Sequence, residues 1–391
     1  MSTTRRVSKS LFRGYDATLL LVVLILLFVG LLSVYSATLY QSTSQYGDPA
    51  FYFRRQVIWS LIGLGALVVT SRLPYFYWRR ASLPLFGLTV LMLIGVLFTP
   101  RVFGSKRFLF GNRVQPSEVA KFTLIIYAAT WLTSRRDQLQ RIEYGLIPFG
   151  VLLGFVSGLV ALQPDIGTAV LLASIGFALF FIVGAEMRHV LLGILAGSVT
   201  AAFLIAFSSH AQHRLQELRD VWQHREGEGW SHLELAVKTM QEGGLFGRGP
   251  GHLTEYVPAV HNDFILAALG HAFGLIGLAG VVVLFWLFAV RGLYIAAHAP
   301  DHFAAVTAAG ITVWITFQAL VNMGVAVALL PPTGVTLPFV SYGGSSLVMT
   351  LAAVGVLLNI SRYVYVRGGR DPSAHVGWRH GGARVSGPQR A

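Results

Sequence analysis

ATLLLVVLILLFVGLLSVYSATL, residues 17–39, decides the fold class. It carries no charged residue, and at about 1.5 Å per residue it is long enough to cross the roughly 30 Å hydrocarbon core of a bilayer as one helix. The basic, polar MSTTRRVSKSLFRGYD precedes it, and no small-residue cleavage site follows, so it reads as a retained first helix rather than a signal peptide. Outward from it, mainly apolar stretches recur at 55–71, 82–98, 115–133, 144–162, 166–184, 189–208, 265–290, 303–325 and 343–361. The pattern predicts an all-α polytopic membrane protein of about ten helices.

Composition points the same way. The 391 residues are 54% hydrophobic and only 12% charged, against about 25% charged in a soluble domain. Collagen-like, disordered and outer-membrane barrel classes are excluded. With no cysteine, the chain has neither a disulfide framework nor a thiolate metal site or nucleophile. The net charge of +13 comes from bases scattered among the loops, with no basic helix or aromatic RNA-binding motif. Anionic membrane lipid is therefore the expected counterpart, not nucleic acid.

Three segments are expected: a cytoplasmic amino-terminal piece (1–16), a membrane domain (17–363) and a cytoplasmic tail (364–391). The tail is rich in glycine, arginine, serine and proline and is expected to be disordered. A large extracytoplasmic loop, 209–264, falls between the seventh and eighth helices, too long for a plain connector. Most of the 30 lysines and arginines fall on the side of the amino terminus, which puts both termini in the cytoplasm. The outer loops around Arg54 and around Arg101, Lys106, Arg107 and Arg113 run against that bias and ask for a local reason.

Several residues bear chemistry, each with two readings. Glu118 and Lys121, three apart, share one face of the fourth helix; they form either an ion pair at the helix entrance or the lining of a polar cavity where Lys121 meets a phosphate oxygen. Asp165, in LQPDIGT, either caps the following helix or orients polar neighbours. Asp263, in HNDFILA, opens an apolar helix that either it or Asn262 caps, or it acts as a general base at the membrane surface. A base would need its carboxyl raised from about 3.9 by burial or a neighbouring acid. The basic loop with Arg107 contacts lipid headgroups or holds a diphosphate. Arg248, in GGLFGRGPG, is a second diphosphate candidate, because glycines let backbone amides approach an anion. The histidines show no zinc signature. LPPTGVTLPFVSYGGSS, 330–346, places prolines and glycines at membrane depth, where broken backbone must be buried or line a cavity.

QPSEVAK (115–121), QPDIGTAVLL (163–172), HNDFILA (261–267), LPPTGVTLPFVSYGGSS and GVLLNISRY (355–363) together resemble, in order, the SEDS family of shape, elongation, division and sporulation proteins. The ending and the HNDF form lean toward its FtsW and SpoVE branch and away from the RodA branch. The resemblance implies a glycosyltransferase of the bacterial cytoplasmic membrane that polymerises lipid II into peptidoglycan strands. Asp263 would deprotonate the acceptor hydroxyl, and undecaprenyl diphosphate would leave with inversion. It also implies that Arg107 and Lys121 hold diphosphate, with Glu118 beside Lys121 in a polar cavity; from the residues themselves, Arg248 is a further diphosphate candidate, and Asp165, Ser341, Gly343 and Gly344 are candidates to line or orient the cavity. The implied partners are a class B penicillin-binding transpeptidase and other divisome or elongasome proteins. A divalent cation, Mg or Mn, assisting the diphosphate is left open. Phe108 stands where the family usually has tryptophan, and His271 and Ala272 where it often has glutamates. A lipid II flippase and an inactive scaffold of the wall-synthesis complex are the competing readings.

Overall fold

The computed structural model describes residues 14–99, 107–109, 114–207, 209–223, 232–252 and 263–368. Among them the secondary structure is helical apart from one isolated bridge, Leu109 to Val114. The helices are α1 (Ala17–Tyr46), α2 (Phe51–Arg72), α3 (Tyr75–Val96), α4 (Pro116–Ser134), α5 (Ile147–Ala161), α6 (Ile166–Ile182) and α7 (Met187–Phe207). They continue with α8 (Ser209–Gln223), α9 (His232–Glu242), α10 (Ile265–Ala297), α11 (His302–Ala326) and α12 (Gly344–Gly368).

Seven of the described helices are long and apolar enough to cross a membrane: α1, α2, α3, α5 with the turn before it, α10, α11 and α12. Helices α6 and α7 are apolar over shorter spans. In α4, Glu118 and Lys121 interrupt the apolar run but stay out of lipid: both are buried, and Lys121 Nζ lies 2.8 Å from Glu118 Oε2. The chain is a multi-pass membrane protein.

Helix starts follow local chemistry. Asp16 caps α1 by accepting from the Leu19 amide at 2.9 Å, and its other oxygen takes Arg291 Nε of α10 at 3.1 Å. Asp165 caps α6 and Asp301 caps α11. Packing is tightest where α2 crosses α12: Thr70 Oγ1 donates to the Ala352 carbonyl at 2.8 Å, and a methyl on Gly355 would sit 1.9 Å from that hydroxyl. The centre is made by α4, α11, α12 and the start of α10, where Trp314 and Lys121 are among the largest fully buried side chains.

One expectation from the sequence is corrected here. The run 265–290 is not one continuous helix: Gly274 breaks α10 with φ 66° and ψ −166°. The first piece, Ile265–Ala272, is buried throughout. The loop 243–251 fills the gap and takes over the polar groups that the break frees. Arg248 and Gly249 amides donate to the His271 and Ala272 carbonyls (2.8 and 3.0 Å), while Leu275 and Ile276 amides donate to Gly244 and Leu245 (2.9 and 3.2 Å). Within the loop 209–264 the described residues form α8 and α9, whose apolar residues Leu218, Val221, Leu233 and Ala236 pack on the core. At the far end α12 runs on to Gly368; the tail beyond it, expected to be disordered, lies outside the described residues, as do residues 1–13.

Between α11 and α12 the chain crosses the bundle as an irregular strap, 327–343, buried over much of its length. The strap carries the glycines and prolines that the sequence places at membrane depth.

Candidate active site

At one end of the bundle four charged groups from four segments converge. Asp263 stands just before α10. The helix has no side-chain cap, because Phe264 occupies that position, and the Asp263 carboxylate accepts no hydrogen bond among the described residues. The capping reading of Asp263 therefore fails, and Asn262 lies outside the described residues. Burial pushes the Asp263 carboxyl above its ordinary value; Arg214 and Arg107 pull it back down, and Asp165 adds to the rise. Such a group holds a proton more readily than a surface aspartate, which a general base working near neutrality requires.

Asp165, at the start of α6, is buried. Its Oδ1 accepts from the Thr168 amide at 3.4 Å, and its Oδ2 lies 3.4 Å from Gln115 Nε2 and 4.0 Å from Arg107 Nε. Both readings of Asp165, cap and orienter, describe what it does. Arg107 follows the undescribed part of its loop and donates through its guanidinium to the Pro164 carbonyl. Arg101, Lys106 and Arg113 lie outside the described residues.

Arg214, on α8, was not singled out by the sequence. Burial lowers its pKa, Asp263 raises it, and Arg107 lowers it further; guanidinium remains charged all the same. Helix α8 is held in place by Trp222, whose Nε1 donates to the Ala328 carbonyl of the strap at 2.8 Å. A methyl on Gly334 of the strap would sit 3.5 Å from Arg214 Nη2 and 3.7 Å from Arg107 Nη1, so the two guanidiniums converge over that residue. The clue in the sequence was the helical spacing of Arg214, Leu218 and Val221, which turns the arginine inward with two apolar residues.

Other expected site residues sit elsewhere. Lys121 Nζ is bound to Glu118 Oε1 and to Gln318 Oε1 of α11, both at 2.9 Å, and lies 5.3 Å from the Trp314 ring centroid; it is 1% exposed. Arg248 pairs with Glu242, and its own amide and that of Gly249 are used in closing the α10 break, so they are not free to hold an anion. Ser341 Oγ accepts from the Leu337 amide at 2.8 Å, and Gly344 abuts Trp59 of α2, which makes both parts of the strap's seating. Gly343 lies in the same turn, beside Thr336.

Two carboxylates and two guanidiniums offer a proton acceptor beside an anion cradle. Among the described residues no three His, Asp or Glu side chains gather as a ligand set, and the two arginines place positive charge beside the two carboxylates. The arrangement fits a reaction that takes a proton and releases an anionic group.

Known proteins resemble this chain over most of its length. Residues 16–366 match the family model of FtsW, RodA and SpoVE, described as cell cycle protein. A "Probable peptidoglycan glycosyltransferase FtsW" of Trichlorobacter lovleyi is 35% identical, covering 89% of this chain and 93% of its own length. One with the same name from Coxiella burnetii is 37% identical over 89% of this chain and 96% of its own. Among solved structures, a chain described under the structural coordination of polymerization and crosslinking by a peptidoglycan synthase complex superposes with TM-score 0.75 at 27% identity, covering 90% of this chain and 99% of that one. The rod shape determining protein RodA of Thermus thermophilus superposes with TM-score 0.67, at 27% identity and the same coverage. With a match that spans nearly the whole membrane domain, the chain belongs to the FtsW, RodA and SpoVE family of cell cycle proteins.

Proposed function

We propose that this protein is a peptidoglycan glycosyltransferase that polymerises lipid II at the outer face of the bacterial cytoplasmic membrane, in septal wall synthesis during division. The observation that carries the reading is the Asp263 carboxylate set against Arg107 and Arg214, which converge over Gly334 of the strap. The acceptor sugar hydroxyl attacks the anomeric carbon of the donor and gives its proton to Asp263. The bond from that carbon to the diphosphate oxygen breaks, with inversion, and undecaprenyl diphosphate leaves. Arg107 and Arg214 offset the charge that collects on the leaving diphosphate, the largest single contribution in many enzymes. The donor set supports charge compensation by the arginines in place of Mg or Mn. Both termini are cytoplasmic, which puts the Asp263 end of the bundle outside, where lipid II is consumed. A class B penicillin-binding transpeptidase is the partner, with further divisome proteins; the likeness to a chain of a peptidoglycan synthase complex supports this.

The test is glycan-strand formation from purified lipid II by detergent-solubilised protein, with and without the transpeptidase. Wild type should give polymer and Asp263→Asn none. Arg214→Gln should lose on the order of 10²–10³ in rate. No polymer in any mixture, from folded protein that binds lipid II, would move the assignment to a lipid II carrier or a scaffold.

A further inference from the structure

The α11 face that looks toward the site bears two amides with no part in the chemistry above. Trp314, Gln318 and Asn322 follow one another at four-residue spacing, so their side chains lie along one stripe of the helix. All three are buried, and Trp314 and Gln318 are 0% exposed.

Asn322 Nδ2 carries two hydrogens and spends both. It donates to the backbone carbonyl of Asp263 at 3.0 Å and to that of Val335 at 2.8 Å. One amide therefore clamps together two segments about seventy positions apart in the chain, the turn that presents the carboxylate and the strap that faces the arginines. Gln318 Nε2 holds the next strap residue, donating to the Thr336 carbonyl at 2.8 Å. The Gln318 amide cannot turn over, because its Oε1 accepts from Lys121 Nζ at 2.9 Å and from Trp314 Nε1 at 2.8 Å. Reversed, it would aim its NH2 at an ammonium and an indole N–H, and none of the three groups could accept. The Lys121 bond is charge-assisted, among the stronger kinds of hydrogen bond.

We propose that Asn322 and Gln318 are positioning residues, which set the Asp263 turn and the Gly334 segment of the strap against each other and tie both to the buried Lys121–Glu118 pair. The inference rests on the glycosyl-transfer reading of the same site. In it Lys121 works at one remove from the diphosphate: its ammonium fixes the Gln318 amide, the amide fixes Thr336, and the strap presents Gly334 to the two guanidiniums. The carbonyls held at 335 and 336 belong to the two residues after Gly334, so slack there reaches the anion cradle within two peptide units.

Two variants separate the roles. Gln318→Glu keeps an oxygen for Lys121 and Trp314 but removes the donor to Thr336; Asn322→Leu removes both of its bonds at similar volume. A loose catalytic geometry of about 1 Å costs on the order of 10²-fold in rate. Each variant, counted per folded molecule from its thermal transition and lipid II binding, is expected to lose on the order of that factor in kcat with KM little changed. Each should also shift the acid limb of the pH–rate profile, because the surroundings of Asp263 change. Asn322→Gln, which retains both donor hydrogens, is expected to recover part of the loss.

A wild-type kcat and an unmoved acid limb in folded Gln318→Glu and Asn322→Leu would overturn the proposal. Loss of folding in all three variants would also overturn it, by making the stripe a packing element only. If wild type itself makes no polymer, it is the glycosyl-transfer reading that fails, a result distinct from either of these.

Discussion

Changing Gly274 and Gly280 to alanine, two glycines of the same helix, should shift stability in opposite directions. Gly274 lies at φ 66° and ψ −166°, a backbone region open essentially to glycine alone and worth about 1–3 kcal/mol of strain for any other residue. Its methyl would meet the Leu245 carbonyl oxygen at 2.4 Å and the Gly247 nitrogen at 2.5 Å, backbone atoms that cannot swing aside. Overpacking of that kind adds about 1–3 kcal/mol, so Gly274→Ala is expected to cost about 2–6 kcal/mol in all. Gly280, six residues on, has nothing within 4 Å of its methyl position, and the same change there is expected to gain roughly 0.5–1 kcal/mol from helix propensity. Thermal midpoints of the two variants in one detergent give the comparison. Glycan synthesis should fall in Gly274→Ala as well, since the half-helix behind Asp263 is braced by the displaced loop. Equal midpoints, or a more stable Gly274→Ala, would refute the account of the break.

Asp263→Asn should stabilise the protein at neutral pH. Burial raises the carboxyl, so the folded chain binds the proton more tightly than the unfolded one, and ionising it above the ordinary value of about 3.9 costs folding free energy. The advantage of the amide should shrink as pH falls toward that value; midpoints measured across that range test it, and an Asn variant less stable at neutral pH counts against the burial. Lys121→Met should cost about 3–5 kcal/mol by leaving Glu118 buried and unpaired. Adding Glu118→Gln should return most of it, and a single-variant loss below about 1 kcal/mol would mean the pair is not shut away from water.

The membrane class was legible because uncharged runs of spanning length, repeated along the chain, carry more apolar surface than a soluble core can enclose. The position of the break in α10 was not. The run ALGHAFGLIGLAG holds four glycines, and only Gly274 lies where loop 243–251, from a remote part of the fold, supplies the missing hydrogen-bond partners. For Glu118 and Lys121 the spacing showed that they could meet, but it could not show that Gln318, nearly two hundred residues on, would take up the third partner position. Arg214 was hidden by its company, since a polar stretch such as SHAQHRLQELRDVWQ reads as solvated until its apolar stripe is seen against the core. Asp263 could be singled out from HNDFILA, but the choice between cap and base could not be read there, because the cap position, which falls to Phe264, is set only once the helix start is fixed.

At about 1.5 Å per residue, an unbroken α10 of 33 residues would reach about 50 Å, far beyond a hydrocarbon layer of roughly 30 Å. Severed at Gly274, the remainder from 275 to 297 is about 35 Å long, a close match to that thickness with modest tilt. The surplus is folded back into protein, and it is the surplus that adjoins Asp263. Anchoring in the lipid and aiming the carboxylate thus belong to separate lengths of one hydrophobic segment. Adding one residue before the break would swing Asp263 by about 100° around the half-helix axis yet leave the register of the membrane crossing untouched.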